Sequence, residues 1–564
     1  MSLEVQPPEK LSAISNLAVT WRRRFEPWIT ERSDFLAAVV VIGGLLWRAY
    51  VAHATFFNPD EAWHFSAANQ DSLRHAYQAS LTLFHPPLLV LILYFWRGLG
   101  TSDLVLRLPC VIAGTLFCWV YYKWLKSILG KTVAWVGLLL VTFLPTMIDM
   151  SAELRQYPLM LLFSVTAAYL LEESFTENSA AKMLLSSACL YLAMLSHYSG
   201  FLFAAGIGIY AFVRILAQRP GERVVTAWAA GQLGGLALAR FLYKNQIAKL
   251  AAVHQAQPLH RIADWYLVKF YYHHGQDHLL PFLIRGTFGV FRFTFSWAVI
   301  GYLAVLLFVA GAILLFRNQA PEAGLPPRHL IAVLLLSPFV VNWAAVAAGL
   351  YPYGRTRHCI FLAIFGIAGV SVALVRIAKQ RIGTAIAMAL ATVILCQAFG
   401  TPPSFDMFPL ADRRHEQMDR TVAFLRRAVS PTDVIYLNKA TESQLGHYLC
   451  DQRPIVPDRS VSGFESFQCN GLGVVSSFPH DDAVLPETFP DKWKEMAKAY
   501  ALPSGSKVWV VEGGWTSGFG EMLRGRYPEF SGLEIYSFGR YLEVFSLTVG
   551  QPTLGPPKQV EPEY

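Results

Sequence analysis

Long apolar runs recur along this chain at lengths set by the thickness of a bilayer. A crossing helix needs roughly 17–25 residues, and such runs fall at 35–52, 104–122, 132–150, 154–171, 183–198, 200–217, 224–243, 288–316, 329–350, 357–375 and 382–400. The pattern predicts about eleven transmembrane helices. Pro86 to Leu99 is also apolar, but it is short and opens on Pro86-Pro87. It is expected to re-enter or lie along the surface without crossing.

From about Asp412 the pattern changes. Charged residues become frequent, and the strand-like runs Val434 to Leu437, Val508 to Val511 and Tyr541 to Phe545 alternate with helical stretches such as Arg414 to Ala428. These features predict a small soluble α/β domain. The fold class expected is therefore a polytopic α-helical membrane protein with a C-terminal α/β domain. Residues 1–34 form a cytoplasmic segment and 35–400 the membrane domain, with outer loops at 53–103 and 244–287. The α/β domain spans 412–548, and 549–564, Pro-rich from Gly555 to Pro562, is expected to be a loose tail. The first apolar run follows a polar stretch and lacks a small-residue cleavage site, so it reads as a retained signal anchor.

Composition agrees with this outline. The 564 residues are 54% hydrophobic and only 15% charged, more apolar material than a soluble fold of this size buries. The net charge of +8 does not point to nucleic acid, because arginines and lysines fall in short clusters between apolar runs. With Pro86 to Leu99 not crossing, Arg22 to Arg24, Lys123, Lys126, Lys182, Arg214, Arg317 and Arg376 share one side, predicted to be cytoplasmic. Asp60-Glu61, Asp149 to Arg155, His197, Tyr351 to His358 and the α/β domain then share the other. The expected location is the inner or plasma membrane, with site and domain extracytoplasmic. Five of the seven cysteines lie in apolar runs without metal-type spacing. Cys450 and Cys469 lie in the polar region, as a disulfide or as two thiols.

An acidic pair just past the first apolar run is well placed to take a proton at a membrane surface. Asp60 is the leading base and Glu61 the second catalytic candidate, one of the pair being catalytic and the other structural. The alternative is that Asp60 caps a short helix beginning near Ala62. Arg155 offers phosphate a planar fork, or else pairs with Glu153 as a structural ion pair. Asp149 reads as a second acid, a metal ligand or a helix-end charge. Tyr351 to His358 is the densest cationic cluster on the outer face and opens a helix, which favours a phosphate at Arg355, Arg357 and His358. Arg107, Arg240 and Arg292 read as arginines snorkelling to headgroups, with phosphate binding as the alternative. Among the histidines, His85 and His358 stand out. No Gly-rich nucleotide loop is present, which argues against a nucleotide-driven motor.

Several segments, taken in order, resemble the GT-C glycosyltransferases, in particular the bacterial protein O-mannosyltransferases and the aminoarabinose transferases of lipid A. They are Pro59-Asp60-Glu61, His85-Pro86-Pro87, Arg107-Leu108-Pro109, Glu153-Leu154-Arg155-Gln156-Tyr157, His197-Tyr198-Ser199-Gly200 and Tyr353-Gly354 with Arg357-His358. The resemblance implies an enzyme that moves a sugar from a polyprenyl-phosphate donor to an acceptor outside the cytoplasm, with inversion. Asp60 is then the expected base. Arg155, Arg355, Arg357, His358 and His85 are candidates for the donor phosphate, although His85 stands where the aminoarabinose transferases carry lysine. Asp149, Glu153, Tyr157 and His197 complete the candidate site. Partners are the lipid-linked donor, membrane lipids and an acceptor protein, lipid or glycan; the sequence identifies no cofactor, and a divalent cation stays open. Two other readings are a transporter or flippase of lipid-linked sugars, with charges expected near the midplane, and a non-catalytic envelope assembly protein.

Overall fold

A computed structural model describes residues 27–249, 267–317, 325–401, 412–451, 457–477, 487–513 and 517–556, with the backbone of 558–560. Eight described helices are long and apolar enough to cross a membrane: Ser33–Ala54, Asp103–Leu129, Tyr157–Glu177, Ser199–Gln218, Ala298–Arg317, Arg328–Ala347, Arg357–Ile377 and Ile382–Phe399. Lys131–Phe143 and Pro145–Ala152 make a pair bent by 55°, a ninth span if taken together. Leu144 is extended there (φ −62°, ψ 135°), as the residue before a proline prefers. The other two predicted spans are occupied by Ala180–Ser196, 17 residues long, and by Glu222–Leu242, which carries Glu222, Arg223 and Arg240.

Eight or nine of the expected eleven are thus long and apolar enough among the described residues, because Ala180–Ser196 is short and Glu222–Leu242 carries charge along its apolar run. The run at 288–316 is also broken. It is two helices, Leu279–Phe295 and Ala298–Arg317, interrupted where Ser296 takes a left-handed conformation (φ 60°). The expected outer loop 244–287 is correspondingly helical from Leu279 on, and its 250–266 portion lies outside the described residues. Leu88–Trp96 with the 3₁₀ turn Arg97–Leu99 is too short to cross, as expected. Asp103–Leu129 is the hub of the bundle, packing on Ser33–Ala54, Lys131–Phe143 and Tyr157–Glu177.

The C-terminal domain is built on an eight-stranded mixed sheet. Its strands are β1 (Val434–Leu437), β2 (Arg459–Val461), β3 (Phe464–Cys469), β4 (Leu472–Ser477), β5 (Lys507–Glu512), β6 (Glu534–Gly539), β7 (Leu542–Thr548) and β8 (Lys558–Val560), in the order β2-β3-β4-β1-β5-β7-β6-β8. β1 runs parallel to β4 and β5, and its side chains alternate between two cores. Ile435 and Leu437 join helices His415–Ala428 and Lys439–Leu449 on one face, while Tyr436 joins Phe489–Ala499 and Phe519–Arg526 on the other. Cys450 and Cys469 are disulfide-bonded. The expected loose tail is corrected in part: residues 558–560 pair with β6 as an edge strand, and Thr553 exchanges backbone bonds with Glu529 and Gly532.

The domain docks on the first loop of the membrane half. Phe56 is buried in the core formed by His415–Ala428 and Lys439–Leu449. Its N–H donates to the Arg413 carbonyl at 3.0 Å. Gln444 donates to the Phe57 carbonyl at 2.7 Å, and the Tyr448 hydroxyl accepts from Phe57 N–H and donates to Asp103. Asp60 and the C-terminal domain thus lie at one end of the helical bundle.

Candidate active site

The acidic pair opens a helix, Pro59–Ala68, whose N-cap is Asn58. Asn58 Oδ1 accepts from Glu61 N–H at 2.8 Å, and Glu61 Oε2 accepts from Asn58 N–H at 3.0 Å. This reciprocal cap, with Pro59 at the first position, satisfies the orphan donors of the first turn. The alternative of Asp60 as cap of a helix from Ala62 is corrected: Asn58 caps, and Asp60 sits in the first turn.

Glu61 is fully buried, and other groups take up its oxygens. Arg107 Nε and Nη2 donate to its two oxygens at 2.7 and 2.8 Å, Arg413 Nη1 donates at 2.8 Å, and Leu154 N–H at 2.7 Å. Arg413 also reaches Glu153 Oε1 at 2.5 Å. Arg107 and Arg413 are both 0% exposed, and Arg107 spends its remaining donors on the carbonyls of Ala52, Thr55 and Phe56. Burial alone would raise the Glu61 carboxyl, but the two guanidiniums reverse this and hold it below the usual carboxylate range. A carboxylate so enclosed has no route to a substrate proton, so Glu61 is corrected from candidate base to anchor. Arg107 is likewise corrected from a snorkelling or phosphate-binding residue to part of this knot. Glu153 pairs with Arg413, not with Arg155.

Asp60 meets a different pair. Arg155 Nη1 lies 2.7 Å and Arg357 Nη2 2.6 Å from Asp60 Oδ2. The Asp60 side chain is 19% exposed. Burial pushes its carboxyl up, and the charges of Arg155 and then Arg357 more than reverse that, leaving it well below the usual range. Both guanidiniums also stand 5.9 Å from the Tyr157 ring, within cation–π range. The bend at Leu144 delivers Arg155 to this point. Arg357 is delivered by the Tyr351 to His358 loop, which lies so close on Leu279–Phe295 that a Cβ at Gly286 would meet the Tyr353 ring at 2.2 Å and one at Gly289 the Arg355 nitrogen at 2.8 Å. Tyr353 is pinned there by Thr287 and Trp343, each 2.8 Å from its hydroxyl.

Beside the pair runs a row of histidines. His64 and His85 have ring centroids 5.7 Å apart, His85 and His197 5.4 Å, and His197 and His358 5.8 Å. Tyr157 joins at 4.8 Å from His197. Burial, with help from the Arg155 charge, lowers His64 to about 4 and His85 well below its ordinary value, so both are neutral at physiological pH. Among the described residues His64 Nε2 and His85 Nδ1 are buried without a hydrogen-bond partner, which leaves them open to a ligand's polar groups. His64 escaped the sequence reading; its position four residues after Asp60, on the same helical face, was the available signal.

Two candidates are not brought to Asp60. Arg355 reaches Thr401 at 3.4 Å. Asp149 lines a separate, mainly apolar crevice of about 330 Å³ with Trp47, Tyr50, Gln397 and Arg414. Among the described residues no group of three or more His, Cys, Asp or Glu side chains is arranged to hold a metal ion. The carboxylate at the centre faces two guanidiniums, a poor donor set for a divalent cation.

Residues 84–252 match the model of the dolichyl-phosphate-mannose-protein mannosyltransferase family. No curated protein matches the sequence. Among solved structures, the chain is similar to ArnT from Cupriavidus metallidurans in the apo state, with 11% identity over 93% of this chain and 99% of that one and a TM-score of 0.52. The same protein bound to undecaprenyl phosphate gives 14% identity over 92% and 99%, with a TM-score of 0.48. The Archaeoglobus fulgidus oligosaccharyltransferase complex with Zn and sulfate gives 13% over 89% and 72%, with a TM-score of 0.48. The matched segment carries His85, Arg107, Arg155, Tyr157 and His197. Family match and whole-chain fold agree: this is a membrane protein with the fold of the GT-C glycosyltransferases.

Proposed function

We propose that the protein transfers a sugar from a polyprenyl-phosphate donor to an acceptor on the extracytoplasmic face, inverting the anomeric centre. The observation that carries this reading is the convergence of Asp60, Arg155 and Arg357 from three distant segments at the end of the bundle where the C-terminal domain docks. A lipid phosphate is a leaving group that needs its charge met, and two adjacent guanidiniums supply that. The family matched over 84–252 is named for such a donor.

In this mechanism the phosphate draws Arg155 and Arg357 away from Asp60, and the carboxylate, relieved of both cations, becomes a stronger base. The acceptor's oxygen or nitrogen attacks the anomeric carbon while its proton passes to Asp60. The bond from that carbon to the phosphate oxygen breaks, and its electron pair leaves on polyprenyl phosphate. Direct displacement inverts the carbon. His358, His85, His197 and Tyr157 remain supporting candidates around the phosphate and sugar, Arg355 and Asp149 lie apart from it, and the acceptor is a protein, lipid or glycan.

The test is release of polyprenyl phosphate from lipid-linked sugars by the purified protein. Asp60→Asn should lower turnover roughly 10²–10⁴-fold while leaving a folded protein that binds polyprenyl phosphate. A protein that moves the donor across vesicles without consuming it is a flippase, and turnover within a few-fold of wild type in Asp60→Asn removes Asp60 as the base.

A further inference from the structure

His64 differs from the other site histidines in having its tautomer fixed by a carbonyl. Its Nδ1 lies 2.6 Å from the Asp60 backbone oxygen. A carbonyl oxygen only accepts, so Nδ1 carries the hydrogen. In a neutral imidazole the other nitrogen is then a bare acceptor. That nitrogen, Nε2, is buried and without a partner among the described residues, and the residue as a whole is 4% exposed. A buried unmet acceptor is costly, and the cost is regained only when a donor arrives. The phosphodiester of a lipid-linked sugar carries no hydrogen at physiological pH and cannot fill this position. A hydroxyl can.

We infer that His64 is a hydroxyl-binding residue of the site, its Nε2 accepting the hydrogen of a hydroxyl on the sugar of the donor or on the acceptor. The inference rests on the glycosyltransferase reading, and it divides the site by chemistry. Arg155 and Arg357 meet the anion, and His64 meets a neutral donor one helical turn from the carboxylate. The held Nδ1–H keeps the ring from turning its acceptor away, so recognition costs little ordering on binding. The residue thereby discriminates between substrates by a hydrogen bond, and sites of this kind reject analogues lacking the hydroxyl more sharply than apolar pockets do.

The experiment compares wild type with His64→Asn, which keeps a donor for the Asp60 carbonyl but lacks an acceptor at the Nε2 position, and with His64→Gln, whose amide oxygen reaches it. Binding is measured with polyprenyl phosphate, and turnover with whichever of the polyprenyl-phosphate derivatives of mannose, glucose, galactose and aminoarabinose the wild type consumes. Expected is a loss of about ten-fold or more in kcat/KM for His64→Asn, partial recovery in His64→Gln, and polyprenyl phosphate affinity within two-fold of wild type. A rise confined to the donor KM assigns the hydroxyl to the sugar, and a rise confined to the acceptor KM assigns it to the acceptor. Loss of polyprenyl phosphate affinity in parallel with turnover, or unchanged kcat/KM, overturns the inference. If His64→Asn does not fold, His64→Phe, which keeps the ring's bulk without an acceptor, carries the same comparison. Wild-type protein that neither binds polyprenyl phosphate nor consumes any of the four donors sinks the parent reading, and this one with it.

Discussion

Asp60 and Glu61 are adjacent carboxylates, each met by two arginines, and the surroundings of those arginines separate them. Around Glu61, Arg107 and Arg413 are wholly enclosed, and backbone donors from Asn58 and Leu154 complete the shell. Around Asp60 the carboxylate keeps some access to solvent, and neighbouring His64 and His85 present buried atoms with no partner among the described residues. A fully enclosed ionic cluster is structural because nothing can enter it without breaking it. One whose carboxylate stays partly exposed is where a ligand can enter and complete the hydrogen bonding. Functional and structural roles of the same residue type are thus told apart by enclosure, not by the charge itself.

The comparison breaks most readily at Glu61. Glu61→Gln leaves two buried guanidiniums short of a counter-charge and should cost about 3–5 kcal/mol of stability, read as a lower unfolding midpoint in detergent, whereas Asp60→Asn should cost less than half of that. Equal destabilisation by the two variants would erase the distinction between knot and site.

A smaller effect sharpens the Asp60 side. Arg155→Ala or Arg357→Ala should weaken polyprenyl phosphate binding by roughly 10–100-fold, the range of a lost charge-assisted hydrogen bond, and lysine at either position should recover only part because it lacks the fork. Arg355→Ala, whose side chain reaches Thr401, should change binding by less than three-fold. Titration of the purified variants with polyprenyl phosphate reads all three.

The smallest expected effect is in pH. His64 is lowered to about 4 from an ordinary value of 6.5, so between those values the unfolded chain binds more protons than the folded one. Stability is then fully present above about pH 6.5 and declines as pH falls toward 4. Asp60 and Glu61, both depressed, contribute stability above the unfolded carboxylate range and lose it only in stronger acid. Unfolding midpoints should fall between pH 7.5 and 5.5, His85 and His197 adding to the effect because they are lowered too, and His64→Asn should reduce the difference by the equivalent of about 1 kcal/mol. An unchanged difference in that variant would assign the pH dependence to other groups.

Much of this arrangement was legible in the sequence where residue type and side of the membrane sufficed. Asp60, His85, Arg155, His197 and Arg357 were all read as facing one end, and they converge there. The strands β1, β5 and β7 followed from their β-branched and aromatic runs, but β2 and β8 are three-residue edge strands with no such signal. Arg107 was misread because an arginine near the end of an apolar run has the same pattern whether it snorkels or is buried against a carboxylate. Nothing in the sequence singles out Arg413. Its role depends on a contact across the whole membrane domain, which no local pattern encodes. Pro145 and Ser296 break helices inside runs whose hydropathy is continuous, which no hydropathy window reports.

Arg413 closes the shell of Glu61 from a position 352 residues later in the chain. During synthesis the first loop therefore leaves the ribosome long before the residue that completes it. The helix bearing Asp60 has its own cap in Asn58, so it can form early, but the Glu61 charge must wait, hydrated or partly paired with Arg107, while every later span is inserted. Final assembly of the site is thus a late event, timed by arrival of the C-terminal domain at the same face. A chain that stops near Gly400 would hold the helices in place and still lack the last ionic contact of the loop that carries the candidate base.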